Sequence, residues 1–227
     1  MMPQKRILDM FCGAGGAGKG YADAGFEVVG IDIVEQPNFP YEFILADVTS
    51  LNLHGTDTLK HYLAGYDAIH ASPPCQNYCW STAKHRRAGK KYPDLISKTR
   101  EILQESGLPY VIENVPNAPL VNPTYLEGTM FGLNVIRRRL FETNWWLPQP
   151  MHIKRKRPIY QPSKIDAGKQ LKKSAYCSVA GNGADGWSCR LADWSVAMGI
   201  DWMTRKEITQ AIPPAYTRYI GAYLISL

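Results

Sequence analysis

Six residues near the start of the chain, Phe11-Cys12-Gly13-Ala14-Gly15-Gly16, constrain the fold more than any other stretch. They follow an apolar run, Arg6–Phe11, and precede a helix-compatible segment, Gly18–Ala24, that begins with glycine and carries a second one at Gly20. Glycine lets the backbone turn into left-handed conformations and approach a ligand with no Cβ in the way. A strand that ends in such a turn and continues as a helix reads as the opening unit of a ligand-binding α/β sheet. The next candidate strand, Glu27–Ile33, carries Asp32 nineteen residues after Gly13, where an acid accepts hydrogen bonds from ribose hydroxyls. Dinucleotides, nucleotides and S-adenosylmethionine are all bound by turns of this kind, and a tight turn without a ligand is the plain alternative.

The remainder of the first half keeps the same rhythm. Phe43–Ala46, Ala68–Ala71 and Tyr110–Glu113 read as strands, and Asp57–Leu63 and Asp94–Ser106 as intervening helices. Strands separated by helical spacers imply βαβ units and a mostly parallel sheet. Arg139–Thr143 reads as one more strand, after the segment Gly128–Gly132. Beyond Trp146 apolar periodicity is lost, and Pro148, Pro150, Pro158 and Pro162 mark an irregular insertion. Helical pattern returns at Arg190–Met198 and at Pro214–Ile225, the latter opened by the Pro213-Pro214 pair. With 227 residues, 45% of them hydrophobic and 20% charged, the chain suits one α/β domain with a small appendage. No apolar run reaches the ~18–20 residues that span a bilayer, so no membrane partner is expected. The N-terminal stretch does not read as a signal peptide, and five irregularly spaced cysteines suit a reducing, cytoplasmic compartment.

Two strand ends carry groups with chemistry of their own. Ala71-Ser72-Pro73-Pro74-Cys75-Gln76 places Cys75 on a loop stiffened by two prolines, at the edge where parallel sheets bind ligands. A thiolate there would be a strong nucleophile, and the basic stretch Lys84–Lys91 is one source of potential to favour it. An inert packing cysteine is the alternative. Cys79 has no partner at metal-ligand spacing, so no structural metal is expected. Glu113 and Asn114 interrupt the apolar strand Tyr110–Val115. A carboxylate in such a strand should be paired, protonated or turned toward a site, and a raised proton affinity would suit it to donate near neutral pH. Asp47 ends the third strand, where it either reaches an adenine amino group or caps the following turn.

Positive charge is concentrated. The chain carries 26 Lys and Arg against 20 Asp and Glu. Eight of the basic residues fall in 151–175 against Asp166 alone, and seven fall in 84–100 against Asp94 alone. The rest of the chain is therefore net acidic. An acidic body with two basic segments fits a polyanion lying along one face, or else two solvated loops.

In order along the chain, these segments resemble the DNA (cytosine-5) methyltransferases over most of the sequence except roughly residues 146–175. Phe11-x-Gly13-x-Gly15-Gly16 is similar to the family's cofactor loop, Pro73-Pro74-Cys75-Gln76 to its nucleophile loop, and Glu113-Asn114-Val115 to its catalytic acid segment. Arg137 and Arg139 match the alternate arginines of a later strand. Met198-Gly199 and Ala211-Ile212-Pro213-Pro214 resemble the closing motifs, whose helix packs beside the cofactor loop. The resemblance implies a Rossmann-like S-adenosylmethionine-dependent methyltransferase fold, in which Phe11, Gly13, Gly15, Gly16, Asp32, Ile33, Asp47, Val48 and Pro73 contact S-adenosylmethionine. It implies Cys75 as nucleophile toward cytosine C6, Glu113 as the acid at N3, and Arg139, assisted by Arg137, steadying the developing charge. It implies double-stranded or single-stranded DNA as partner, contacted by Gln76, Lys84, Arg86, Arg87, Lys154, Arg155, Lys156, Arg157 and Gln210. A bacterial or phage-infected cytoplasm, a restriction–modification or phage setting and a monomeric state complete the expectation. Cytosine in RNA, and a catalytically inactive DNA-binding regulator, are the competing readings.

Departures from the family pattern have consequences. Val135 stands where a polar residue is usual, and Thr209-Gln210 replaces the usual Gly-Asn. The expected division is a catalytic domain of residues 1–145 and 190–227 with a recognition region of residues 146–189. Only about forty-five residues separate Asn144 from Arg190, little chain for reading bases. A short or relaxed target is therefore expected. Bisulfite sequencing of DNA from cells expressing the protein checks this, and a long defined methylated motif would contradict it.

Overall fold

Short runs of Val, Ile and Leu that can bury both faces become parallel strands, and the amphipathic spacers between them become the covering helices. The computed structural model describes residues 3–50, 63–151, 176, 177, 179 and 190–227. Strands β1 (Arg6–Met10), β2 (Glu27–Asp32), β3 (Glu42–Leu45), β4 (Ala68–Ala71), β5 (Tyr110–Asn114), β6 (Thr124–Leu126) and β7 (Arg139–Thr143) form one sheet in the order β3-β2-β1-β4-β5-β7-β6. The first five in that order pair in parallel. β7 is antiparallel to both β5 and β6. The mostly parallel α/β sheet is thus as the sequence implies.

Six helices belong to the described residues: α1 (Gly16–Asp23), α2 (Ala83–Arg87), α3 (Ile96–Ser106), α4 (Leu191–Met198), α5 (Arg205–Gln210) and α6 (Pro214–Leu224). α1 and α6 cover one face of the sheet, packing Tyr21, Tyr216 and Ile220 over Ile7, Val28 and Val111. α3 covers the other, with Ile102 and Leu103 against Leu8, Ile69 and Ile112. A third apolar cluster gathers Trp194, Met198 and Ile208 around Val135, Cys177 and Val179. Among the described residues of the 146–189 region, Cys177 bridges Val135 in parallel at the sheet edge. Val135 is fully buried there, so an apolar residue suits a position where the sequence comparison leads one to expect a polar one. The expected helix Asp57–Leu63 lies almost wholly outside the described residues, as does the glycine-rich stretch 181–186.

Three elements escape the sequence pattern. β6 is three residues long and α2 five, too short for either periodicity to register. α5 had a legible signal in Thr204-x-x-Glu207, a reciprocal capping box in which the Thr204 hydroxyl accepts from the Glu207 N–H and the Glu207 carboxylate accepts from Thr204.

The α1–α6 contact depends on one glycine. A Cβ at Gly20 would sit 2.1 Å from both the Pro214 carbonyl oxygen and the Thr217 hydroxyl. That hydroxyl donates to the Ala17 carbonyl at 2.7 Å, so the helices touch backbone to backbone. Gly20→Ala should cost about 1–3 kcal/mol through forced separation of the helices, lowering Tm by roughly 2–4 °C for each kcal/mol. Thermal denaturation followed by circular dichroism measures it; an unchanged Tm would contradict the close packing.

Candidate active site

After β1 the chain winds outward through β2 and β3, then returns to place β4 on the other side of β1. At such a reversal the loops leaving neighbouring strands part, and a crevice opens at their carboxyl ends. A cavity of about 470 Å³ occupies that place. The glycine-rich turn, Asp32–Pro37, Ser72–Gln76, Glu113 and Arg139 line one part of it, and Thr204, Lys206, Glu207, Gln210, Ala211 and Ile212 close it from the C-terminal end.

The turn is built from unusual backbone. Phe11, Gly13 and Gly15 all have positive φ, at 58°, 49° and 84°. For Phe11 that conformation is strained, and strain of this sort concentrates at functional sites. Asp32 holds the turn open: its carboxylate accepts the Gly13 N–H and the Val34 N–H, each at 3.1 Å. Phe11, Gly13, Gly16, Asp32, Ile33 and Pro73 all line the cavity. Gly15, Asp47 and Val48, expected there, do not. Gly15 is the N-cap of α1, and its missing Cβ faces Phe39 and Pro40. The Asp47 carboxylate accepts the Thr49 N–H and O–H at 2.8 Å each, which is the capping alternative. Val48 is buried in the core.

Asp9, which pattern reading passed over as one polar residue in an apolar strand, also lines the cavity. It is fully buried and both carboxylate oxygens lack a hydrogen-bonding side-chain or backbone partner of good geometry among the described residues. Burial, with Asp32 and Glu113 nearby, pushes its proton affinity up to about 8.

The groups expected to be reactive sit on the adjoining strands and the loops that follow them. The loop bearing Cys75 is held from both sides. The Asn114 side chain donates to the Pro73 carbonyl at 2.9 Å, and the Arg86 guanidinium donates to the carbonyls of Gln76 and Cys79 at 2.9 and 2.8 Å. Arg86, expected to bind nucleic acid, is thus engaged in bracing the loop. Its neighbours Lys84 and Arg87 are exposed. Glu113 is buried on β5 and meets Arg139 of β7 with Nε–Oε1 at 2.8 Å. Desolvation raises the Glu113 proton affinity, and Arg139, a Ser72 hydrogen bond and Arg137 pull it partly back. Arg137 is not among the cavity-lining residues. Its buried guanidinium donates to the carbonyls of Val179 (2.9 Å) and Thr209 (2.7 Å), fastening Val179 and α5 to the sheet edge.

The thiol itself departs from expectation. Burial, then the facing Glu113 and Cys79, push Cys75 up to about 11, and the cations that partly offset this are Arg139 and Arg137 rather than the Lys84–Lys91 segment. The basic segment lies on the outside, where water screens it. Gln76 lines the cavity with its buried amide oxygen unpartnered, and exposed Gln210 lies at the rim. Lys154, Arg155, Lys156 and Arg157 fall outside the described residues. Arg100, counted with the basic segment, is spent internally on a two-pronged pair with Glu142 at 2.7 Å.

A family model described as C-5 cytosine-specific DNA methylase matches residues 5–124. Among solved structures, the chain is similar to a protein described as a DNA modification methyltransferase encoded within an E. coli prophage, with TM-score 0.69 and 15% identity. It is similar to the Entamoeba histolytica methyltransferase EhMeth, with TM-score 0.64 and 14% identity, and to the S. pombe Dnmt2 methyltransferase, with 0.64 and 13%. Each match covers 99% of both chains. These likenesses are of fold, Rossmann-like in each case. No curated protein gives a significant sequence match.

Because a negative Glu113 is one cause of the high Cys75 value, neutralising it should make the thiol more acidic. Glu113→Gln in a Cys79→Ser background is expected to speed iodoacetamide alkylation of Cys75 several-fold at pH 8–9. Mass spectrometry of the Cys75-containing peptide reads the rate, and an equal or slower rate would contradict the coupling.

Proposed function

The chain belongs to the family of C-5 cytosine-specific DNA methylases, and on that premise we propose that it methylates C5 of cytosine in DNA through a covalent adduct between Cys75 and C6. Enzymes of this family take their methyl group from S-adenosylmethionine. The observation that carries the reading is the meeting of Cys75, Glu113 and Arg139 in one cavity with the glycine turn and Asp32.

The residues present fit the cofactor. The side of Gly13 where a Cβ would stand is open, with nothing within 4 Å. The buried Asp9 carboxyl lines the same cavity, and a cationic ligand there would favour its ionised form. Phe11, Gly13, Gly16, Asp32, Ile33 and Pro73 would hold it, and when bound S-adenosylmethionine supplies the electrophilic methyl group that the activated C5 takes up. The chain's own residues do the activating. The Cys75 sulfur bonds to C6 as its thiol proton passes to the Glu113 carboxylate, which hydrogen-bonds or protonates N3, so that ring electrons gather at C5. Arg139 holds Glu113 and steadies the charge. Once C5 is methylated its proton leaves to solvent, the C5–C6 double bond re-forms with expulsion of the Cys75 sulfur, and the N3 proton returns through Glu113 to that sulfur. The thiol, held neutral by burial, gains nucleophilicity as Glu113 takes up a proton, because each group's charge opposes the other's. None of this chemistry reaches a stacked base, so the cytosine must be unpaired or flipped out.

Residues 1–145 and 190–227 make the catalytic unit in this reading, and 146–189 the recognition region, with Lys154–Arg157, Lys84 and Arg87 on phosphates and Gln76 and Gln210 near the base. A DNA-modification role in a phage or restriction–modification setting belongs to the same proposal. Among the described residues no helix is long and apolar enough to cross a membrane.

Incubation with labelled methyl donor and DNA, tRNA or neither tests the substrate. Label should enter DNA, and DNA containing 5-fluorocytosine should trap a covalent complex. Cys75→Ala should abolish both while keeping a wild-type Tm. Label in tRNA alone would transfer the activity to RNA, and turnover by Cys75→Ala would overturn the nucleophile.

A further inference from the structure

Beneath α1, strand alternation places a band of polar side chains on a single face of an otherwise apolar sheet. Asp9 of β1 pairs in register with His70 of β4, and Ser72 and Glu113 follow on the same face two residues further along their strands. His70 is fully buried. One ring nitrogen, Nδ1, lies 2.9 Å from the Tyr21 hydroxyl of α1, and the other, Nε2, lies 2.9 Å from the Ser72 hydroxyl. Ser72 and Glu113 line the same cavity, and the Ser72 hydroxyl acts on the Glu113 carboxyl, lowering its proton affinity.

We propose that His70 and Ser72 are positioning residues for the proton exchange of Glu113, with Tyr21, His70 and Ser72 forming a hydrogen-bond chain whose donors all point toward that carboxyl. The inference rests on the role given to Glu113 above and deepens it. The direction of the chain follows from counting hydrogens. Burial holds the His70 imidazole neutral, pushing its proton affinity down to about 3, so it carries a single N–H. The Tyr21 hydroxyl is fully buried, and His70 is its hydrogen-bond partner among the described residues. If Nδ1 held the proton, the Tyr21 O–H would be left without an acceptor, which costs about 1–3 kcal/mol. Tyr21 therefore donates to Nδ1, and Nε2–H donates to the Ser72 oxygen. Ser72 is thereby left with its own hydrogen to give, and Glu113 accepts it.

That donation stabilises the ionised carboxylate against the desolvation of the site. Other groups act on Glu113 in the same space. Arg139 and Arg137 favour its charge, while Asp9 and Cys75 across the cavity oppose charge there, as would an ionised Tyr21. Of these, the Ser72 hydroxyl is the one whose direction another buried group sets. A carboxyl must both give a proton to N3 and take it back within a turnover, and the chain keeps the first half from becoming too costly. Ser72 is well placed to stay fixed: its N–H donates to the Met10 carbonyl at 3.1 Å and two prolines follow it.

The test reads Glu113 directly. The infrared band of its protonated carboxyl is isolated as the difference between each protein and the same protein carrying Glu113→Gln, and followed against pH. Ser72→Ala should move the midpoint upward by about 0.5–1 pH unit, and Tyr21→Phe should move it in the same direction by less. Ser72→Thr, which keeps the hydroxyl, should restore it. In methyl transfer, Ser72→Ala should lower kcat roughly tenfold and leave the KM for S-adenosylmethionine unchanged. His70→Leu puts an apolar group into a buried strand and risks misfolding, so Ser72→Ala carries the decision. An unmoved midpoint in Ser72→Ala, or no restoration by Ser72→Thr, would overturn the chain. A shifted midpoint in a protein that transfers no methyl group would uphold the chain and refute the function proposed for Glu113.

Discussion

Glu113 and Arg139 meet 2.8 Å apart on neighbouring antiparallel strands, with both side chains largely withdrawn from water. Neither charge is tolerable alone at that depth, since breaking a buried pair leaves an uncompensated ion. The pair exists because β7 runs opposite to β5, so the beginning of one strand lies beside the end of the other. Burial is the main cause that raises the Cys75 thiol and Asp9; Glu113 adds to both, and Arg139 counters the first of these. The Cys75 thiol and the Glu113 carboxyl therefore influence each other: adding a proton to the carboxyl makes it easier to remove one from the sulfur.

Around that pair the fold supplies rigidity by several independent contacts. Proline-stiffened chain and the Arg86 guanidinium hold the Cys75 loop. Arg137 ties Val179 and Thr209 to the sheet edge, and the Trp202 indole donates to the Ala14 carbonyl at 2.9 Å, drawing the C-terminal segment onto the glycine turn. The result is a cavity with one wall from the first strands and another from the last helices. Chain ends distant in sequence must pack together before a ligand can be enclosed. The Gly20 contact between α1 and α6 therefore bears on function although no functional group lies there.

Much of this was legible beforehand because it rests on short-range rules. Short apolar runs, the glycine turn and the Pro-Pro-Cys loop are local signals, and the mostly parallel sheet they imply is the one observed. What the sequence leaves open depends on distance in space. Charge counting puts Arg86 and Arg100 in one basic segment, and the structure engages them with backbone carbonyls and with Glu142. Asp47 and Gly15 sit at the expected sequence positions and yet face away from the cavity. The basic Lys84–Lys91 stretch seemed near enough to acidify Cys75, whereas burial dominates and the relevant cations come from β7 and the residues just before it.

The amino-acid sequence by itself determined the order of most strands and helices, the position of the glycine turn and the chemical types available at the strand ends, because propensity, periodicity and glycine placement act within a few residues. Only the tertiary structure decided which of those groups share a space, which are consumed in holding the fold, and what burial does to their protons. Strand order and register bring Asp9, His70, Ser72, Glu113 and Arg139 from four separate stretches onto one face. Desolvation depends on everything packed around a group, and no local pattern records it.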